Sequence, residues 1–280
     1  FEQFEELSNY SESQGLEFMS TAFDSESLQF IDRILMPRVL KISSGDLTNG
    51  PFLLEHAQTQ KNIILSTGMA ALAEIEQALS VLAFGYLKKR HPADRLELTA
   101  LYDTSEAKDA LKGKVSILHC VTEYPAPESD VNLRAIRTLS NHFSLPVGYS
   151  DHTEGILVPA VAVAMGAVII EKHLTLDRSA VGPDHQASLE PREFRRMVDR
   201  IRQVERMLGD GLKTPQKSEL KNRVVARRSL VALKDIKAGD RYTSGNVTVK
   251  RPGAGRSPME YWDLLNEICL RDIGSDELIP

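Results

Sequence analysis

Short apolar runs alternate with helix-like patterns along most of this chain, and that alternation limits the folds available to it most strongly. The candidate strands are Leu16–Ser20, Arg38–Ile42, Asn62–Leu65, Val115–His119, Leu145–Tyr149 and Ala167–Leu174. Each is rich in Val, Ile, Leu or Phe without strict alternation, as expected for strands buried on both faces. Such strands separated by helices predict a parallel α/β sheet.

The helices between these strands have recognisable starts. Asp24 and Asn49 suit the N-cap position, because their side chains can accept hydrogen bonds from the free amides of a first turn. Thr67 and the glycine after it are predicted to lead into a helix at Met69–Leu82, and Pro191 is predicted to open a long amphipathic helix.

Two architectures fit this order of elements. Six strand–helix units occupy about 210 residues, whereas an eightfold barrel takes about 250. We therefore expect a (β/α)8 TIM barrel that lacks its first two βα units, and the first residue, Phe1, rather than Met, agrees with this. An open doubly wound sheet is the alternative, but no GxGxxG turn follows any strand, which counts against a dinucleotide-binding sheet.

Composition changes near Gly209, where a polar stretch containing Gly and Pro begins. We predict a barrel over residues 1–210, a linker over 211–220 and a small, mainly β domain over 221–280.

The composition excludes several classes of protein. The net charge of −5 over 280 residues argues against a nucleic-acid-binding surface. No apolar run reaches the length that crosses a membrane, and no signal-peptide pattern is present. Two cysteines, Cys120 and Cys269, form neither a disulfide framework nor a zinc cluster, so we expect a reducing, cytoplasmic location.

Polar residues follow every predicted strand. In a parallel barrel these carboxyl ends meet at one mouth, where active sites lie. Small hydroxyl groups and a lysine suit a phosphate group, whereas an isolated Ser-Thr-Gly is more often a helix cap. The candidates for phosphate binding are Lys41, Ser44, Ser66 and Ser150.

Two histidines, His152 and His173, stand at neighbouring strand ends with acids beside them. A lone histidine is more often structural, but two at one mouth are compatible with a catalytic divalent ion that keeps open positions. Asp151 and Glu171 are candidates to orient the imidazoles. Asp184 lies in a Gly-Pro loop and reads from the pattern alone as a turn residue.

Two further residues have competing interpretations. Cys120 follows His119, but neighbours along a strand point to opposite faces, so core packing is the better explanation. Arg251 in KRPGAG is expected to be exposed, although a Gly-rich loop with an arginine can reach over a neighbouring site.

Seven motifs in order resemble those of the sialic acid synthase family, which includes the N-acetylneuraminate, legionaminate and pseudaminate synthases. They are KISSGD, ILSTGM, HCVTEYPAP, LPVGYSDHTEG, IIEKHLTLD, GPDHQASLEP and KRPGAG. The resemblance implies a TIM barrel followed by an antifreeze-like (SAF) domain. It also implies condensation of phosphoenolpyruvate with an N-acetylated aldose, N-acetylmannosamine in the archetype, and a domain-swapped homodimer.

The resemblance also implies roles for individual residues. His152 and His173 match histidines that bind Mn²⁺ or Mg²⁺. The phosphoenolpyruvate set is matched by Lys41, Ser44, Ser66, Ser150, Thr21 and Thr122, the last standing where some members have Asn. The sugar-binding or catalytic set is matched by Tyr124, Asp184, Arg251 and Asp46, the last standing where some members have Glu. A catalytic Glu and a second Lys on the family's first two strands have no counterpart here.

Three alternatives remain open at this point. The acceptor can be a 2,4-diacetamido-trideoxy sugar, giving a legionaminate or pseudaminate synthase. The chain can be a non-catalytic fragment, since a barrel without two units has a gapped core. A different phosphoenolpyruvate-using synthase on the same barrel is disfavoured by the KRPGAG module.

Overall fold

A single five-stranded parallel sheet forms the centre of the first structural unit, Phe1–Gly209. The computed structural model describes every residue from Phe1 to Pro280. The strands of this sheet are β1 (Val39–Ile42), β2 (Asn62–Ser66), β3 (Val115–Cys120), β4 (Val147–Asp151) and β5 (Ile170–Lys172).

The order of the strands in the sheet is the order of the strands in the chain, β1-β2-β3-β4-β5. A doubly wound sheet instead places non-consecutive strands side by side at its switch point. Consecutive parallel strands with a helical crossover after each are the arrangement of a barrel wall. The predicted barrel-type fold is therefore confirmed, and the doubly wound alternative is wrong.

One predicted strand is wrong. Residues Leu16–Ser20 form no strand, and the only pairing nearby is a single parallel bridge between Thr21 and Lys41. The apolar side chains of this segment are largely exposed, with Leu16 at 65% and Met19 at 40%. Apolar content alone suggested a strand, but the segment pairs only with β1 and buries little surface there.

Helices connect the strands and cover the outer face of the sheet. They are α1 (Glu2–Ser13), α2 (Ser25–Phe30), α3 (Gly50–Gln58), α4 (Leu72–Leu87), α5 (Arg95–Tyr102), α6 (Ser105–Leu111), α7 (Arg134–Phe143), α8 (Leu157–Ala164) and α9 (Pro191–Leu208). A π-helical turn, Ile31–Leu35, continues α2.

Sequence placed most helix starts well. The carboxylate of Asp24 accepts a hydrogen bond from the amide of Ser27, and Asn49 accepts one from the amide of Phe52, so both predicted caps are confirmed. The helix predicted from Met69 begins three residues later, at Leu72. Met69 has φ of 65°, a left-handed conformation that a helix cannot contain.

The core lies between the sheet and its helices. It includes β-strand residues such as Leu65 and Ile117 and helix residues such as Leu79 and Phe84, all 0% exposed. All five residues of β4 are buried. Burial on both faces explains why these strands carry no polar–apolar alternation.

The second unit, Asp210–Pro280, has its own small core. It contains helix α10 (Lys217–Ala226), the antiparallel pair β6 (Ser229–Ala232) and β7 (Val247–Lys250), and the short helix α11 (Tyr261–Leu264). Residues 217–220 of the predicted linker are the first turn of α10. No helix in either unit is both long and apolar enough to cross a membrane.

Candidate active site

The parallel register brings one set of side chains to the inner face of the sheet. Cys120 pairs with Ser150 across β3 and β4, and Ser150 pairs with Glu171 across β4 and β5. Register partners in a parallel sheet point to the same face, so these three side chains share it. Lys41 on β1 and Ser66 on β2 lie at the same ends of their strands.

Lys41, Ser150 and Glu171 form a connected polar group. Lys41 is 8% exposed, and its Nζ lies 3.7 Å from Glu171 Oε2. The hydroxyl of Ser150 donates to Glu171 Oε1. The ammonium is thus held at the mouth beside a buried hydroxyl, and both are donor types that can bind a phosphate or carboxylate.

The first histidine, His152, is fixed in one tautomer. Its Nδ1 lies 2.6 Å from the carbonyl oxygen of Val121, and because a carbonyl only accepts, Nδ1 carries the proton. The Nε2 lone pair is therefore free, and it lies 3.4 Å from Ser150 Oγ. Burial lowers the pKa of His152, which keeps the imidazole neutral and able to bind a metal.

The second histidine, His173, faces the first. The two ring centroids are 5.4 Å apart at 87°, and the ring of Tyr124 lies 4.1 Å from that of His152 and 5.6 Å from that of His173. Asp184 Oδ2 lies 3.7 Å from His173 Nδ1. Asp184 is also the turn residue that the pattern suggested, with φ of 65°, so the turn brings its carboxylate to the histidine.

A second cluster forms around Gly68, a position that the sequence analysis did not assign to the site. The amide of Gly68 donates to Ser44 Oγ at 2.9 Å, and Ser44 Oγ lies 3.3 Å from Cys120 Sγ. A Cβ atom at Gly68 would stand 2.2 Å from Thr122 Oγ1 and 2.9 Å from Ser44 Oγ. Ser44, Thr122 and Cys120 therefore converge on one point of the backbone, where any side chain larger than that of glycine would force these neighbours to shift.

Neither of the two neighbouring acids hydrogen-bonds to an imidazole, so any effect of Asp151 or Glu171 on the histidines is indirect. Asp151 was expected to orient an imidazole, but its carboxylate instead accepts hydrogen bonds from Lys172 and Thr153. Glu171 contacts Lys41 and Ser150 rather than a histidine. Alternation explains the contacts of Asp151, because its side chain points away from the inner face on which Ser150 lies.

Three other predicted site residues, Thr21, Ser66 and Asp46, differ from one another in their surroundings. Thr21 lies beside Lys41 through the isolated bridge, and Ser66 is buried at the end of β2 with 4% exposure. Asp46 is bonded to Ser43 and Asn49 within its own loop, so it is not brought into the cluster.

Arg251 belongs to the second unit. Its Nε donates to the carbonyl oxygen of Ala226 at the end of α10, 3.0 Å away. The hydroxyl of Ser229, which is 0% exposed, donates to Pro252 O and accepts from the amide of Gly255. These contacts hold the KRPGAG loop in one conformation.

The pattern of residues that defines the NeuB family matches residues 1–213, about three quarters of the chain. The chain belongs to the NeuB family. A SAF domain matches residues 227–280.

Relatives of the chain are synthases of nine-carbon sugar acids. An N,N'-diacetyllegionaminic acid synthase of Campylobacter jejuni is 44% identical over 98% of this chain and 75% of its own length. A pseudaminic acid synthase of the same organism is 34% identical over 98% of this chain and 72% of its own length. The crystal structure of an N-acetylneuraminic acid synthetase from Leptospira borgpetersenii, in complex with citrate, has a TM-score of 0.66. It is 34% identical and covers 79% of this chain and 68% of its own. This NeuB-family chain is thus of the class of enzymes that form carbon–carbon bonds.

Proposed function

We propose that this protein condenses phosphoenolpyruvate with an N-acetylated aldose to give a nonulosonic acid, with release of phosphate. The observation that carries the proposal is the shared mouth of the two histidines and the Lys41–Glu171–Ser150 group, joined by the 3.4 Å between Ser150 Oγ and His152 Nε2. The proposed metal-binding residues and the proposed anion-binding residues are thus neighbours, because Ser150 lies next to both His152 and Glu171.

A divalent ion fits the two histidines. His152 and His173 offer two imidazoles with ring centroids 5.4 Å apart, and no group of three or more His, Cys, Asp or Glu residues that could hold a metal ion is present, so an ion here would have two protein ligands. Two nitrogen ligands leave the remaining positions to water and substrate oxygens, which suits a catalytic ion rather than a structural one. Mg²⁺ prefers oxygen ligands alone, so of Mn²⁺ and Mg²⁺ this donor set favours Mn²⁺.

The other residues bind and orient the two substrates. Lys41 and the hydroxyls of Ser44, Ser66 and Ser150 hold the phosphate of phosphoenolpyruvate, and Thr21 and Thr122 complete its pocket. Tyr124 and Asp184 contact the sugar beside the histidines. A divalent ion held by His152 and His173 would supply Lewis-acid polarisation of the aldehyde carbonyl. Carbon 3 of phosphoenolpyruvate bonds to the aldehyde carbon, water adds to carbon 2, and phosphate departs with cleavage of its C–O bond.

The relatives support one of the candidate acceptors over the others. The motif resemblance implies N-acetylmannosamine as the first acceptor and a 2,4-diacetamido-trideoxy sugar as the alternative. The identity of 44% to a legionaminic acid synthase, against 34% to a pseudaminic acid synthase and to an N-acetylneuraminic acid synthetase, supports the second acceptor. We therefore infer that N,N'-diacetyllegionaminate is the product, with N-acetylneuraminate as the alternative.

The test is phosphate release from phosphoenolpyruvate with each acceptor in turn, using the protein as its gene encodes it. We expect release with the diacetamido acceptor, loss of release with EDTA and recovery with Mn²⁺. His152→Ala and His173→Ala should abolish turnover, whereas His142→Ala, an exposed histidine on α7, should not. Normal turnover in either site variant contradicts the proposal.

The homodimer is a separate part of the proposal. Arg251 of one copy is expected to reach the sugar bound in the other copy. Mixing inactive Arg251→Ala and His152→Ala proteins should then restore part of the activity, because a mixed dimer holds one intact site. No recovery after subunit exchange, shown by mass spectrometry, counts against the shared site.

A further inference from the structure

Asp151 and Lys172 form an ion pair on the face of the strands opposite the candidate site. They are register partners in β4 and β5, and both side chains are 0% exposed. Lys172 Nζ lies 2.8 Å from Asp151 Oδ2. Neither side chain contacts the residues proposed to bind substrate, so the pair is not part of the site itself.

Thr153 completes this group. Its amide and hydroxyl both donate to Asp151 Oδ1, at 3.0 and 2.8 Å, and its carbonyl oxygen accepts from Lys172 Nζ. The residues on both sides of His152 are therefore bonded to one lysine, Asp151 through its carboxylate and Thr153 through its backbone carbonyl. The carbonyl oxygen of His152 accepts from the amide of Ala126, 2.9 Å away, which holds the same residue from the other side.

The same lysine stands between the other site residues. Lys172 follows Glu171 and precedes His173 in the chain. A shift of its side chain would move the backbone that carries both of them. One buried ion pair thus connects the strand end bearing the first histidine with the strand end bearing the second.

We propose that Asp151, Lys172 and Thr153 are positioning residues that set the distance and angle between His152 and His173. A buried ion pair is often no more stabilising than apolar residues of the same volume, so stability alone is a weak reason for its presence. Groups that fix the orientation of metal ligands contribute strongly to metal affinity. The inference rests on the proposed metal site.

The test measures the dissociation constant of Mn²⁺ from the free-ion electron paramagnetic resonance signal, without substrates or turnover. Lys172→Met should weaken binding by roughly 10–100-fold. Lys61→Met is the matched control, since Lys61 also forms a part-buried ion pair in the first unit, 3.4 Å from Asp32. Its Mn²⁺ affinity should equal that of the wild type.

A folded Lys172→Met protein with wild-type Mn²⁺ affinity overturns the inference. If circular dichroism shows that this variant does not fold, the Mn²⁺ affinities of Thr153→Val and Thr153→Ser test the inference instead. The valine removes the hydroxyl that donates to Asp151 and should weaken Mn²⁺ binding, while the serine restores it; equal affinity in both overturns the inference. A wild-type protein that binds no Mn²⁺, or binds it equally after His152→Ala, refutes the proposed metal site instead.

Discussion

Lys41 Nζ lies 3.7 Å from Glu171 Oε2, although the two residues stand on the first and last strands of the same sheet. Four strand spacings separate β1 from β5, about 19 Å in a flat sheet. Two side chains cannot meet across that distance unless the sheet curls strongly. The contact therefore records the curvature of the barrel wall, and it places residues from both edges in one pocket.

Replacing Lys41 by Met should weaken phosphoenolpyruvate binding while the fold persists. The loss of a charged contact to an anion costs about 1.5–3 kcal/mol, which raises the KM for phosphoenolpyruvate roughly 10–100-fold. Steady-state kinetics with a saturating acceptor measure it. Lys237→Met, at an exposed ion pair with Asp272 in the second unit, is the control. An unchanged KM in folded Lys41→Met would remove Lys41 from the anion site.

Gly68→Ala should disturb both stability and substrate binding. The new Cβ would lie 2.2 Å from Thr122 Oγ1 and 3.0 Å from Cys120 Sγ, so the neighbours must shift. Overpacking of this kind costs about 1–3 kcal/mol of unfolding free energy. Urea denaturation and the KM for phosphoenolpyruvate measure the two effects.

Gly50→Ala is the control for that substitution, because a Cβ at Gly50 meets nothing within 4 Å. Alanine there should leave stability unchanged or raise it slightly. Equal stability of the two alanine variants would show that the loop around Gly68 relaxes freely.

Stability should fall as the pH drops below about 6.5. Burial lowers the pKa of His56 and His119 from the ordinary value of 6.5. Below pH 6.5 these histidines therefore bind more protons in the unfolded chain than in the native chain. The free energy of unfolding keeps its full value above pH 6.5 and decreases below it. Carboxylates with lowered pKa values, such as Asp24 and Asp177, start from 3.8 and lose stabilisation only at lower pH.

Urea denaturation at about pH 7.5 and about pH 5.5 measures this effect, since the carboxylates remain ionised over that interval. His56→Gln should flatten the dependence, because His56 is 1% exposed and its Nε2 has no hydrogen-bond partner. His91→Gln, at an exposed position, should leave the slope as it is. A steeper slope in His56→Gln would contradict the assignment.

Ser229→Ala should loosen the loop that carries Arg251. The hydroxyl of Ser229 bonds Pro252 and Gly255 at 2.7 and 2.9 Å, and its loss leaves two backbone groups unsatisfied. The cost is about 1–3 kcal/mol locally. Hydrogen exchange of residues 251–255 in the whole protein should accelerate. Ser275→Ala, with an exposed side chain, should not change that exchange.

Sequence alone predicted the strands that became β1 to β5 and the caps at Asp24 and Asn49, because burial and capping are local in the chain. It also brought His152 and His173 to neighbouring strand ends, which the structure places 5.4 Å apart. Their role as metal ligands stays a prediction.

Partners across strands were harder to predict. Alternation from Ser150 puts Asp151 on the outer face, but only the register Asp151↔Lys172 shows that these two residues are partners. Register is set by packing between segments distant in sequence, and no local pattern encodes it. The same reason hid Gly68, whose neighbours Ser44 and Thr122 come from other loops.

Every residue of β4, from Val147 to Asp151, is buried. The side chains on the inner and outer faces of this strand make different kinds of contact. Ser150 serves the mouth, while Asp151 holds the lysine behind it. Because all five residues are buried, a substitution in β4 is expected to disturb the packing on one face or the other. Under the proposed function, we expect the choice of acceptor sugar to depend on the loops around Tyr124 and Asp184, whose side chains are partly open to solvent.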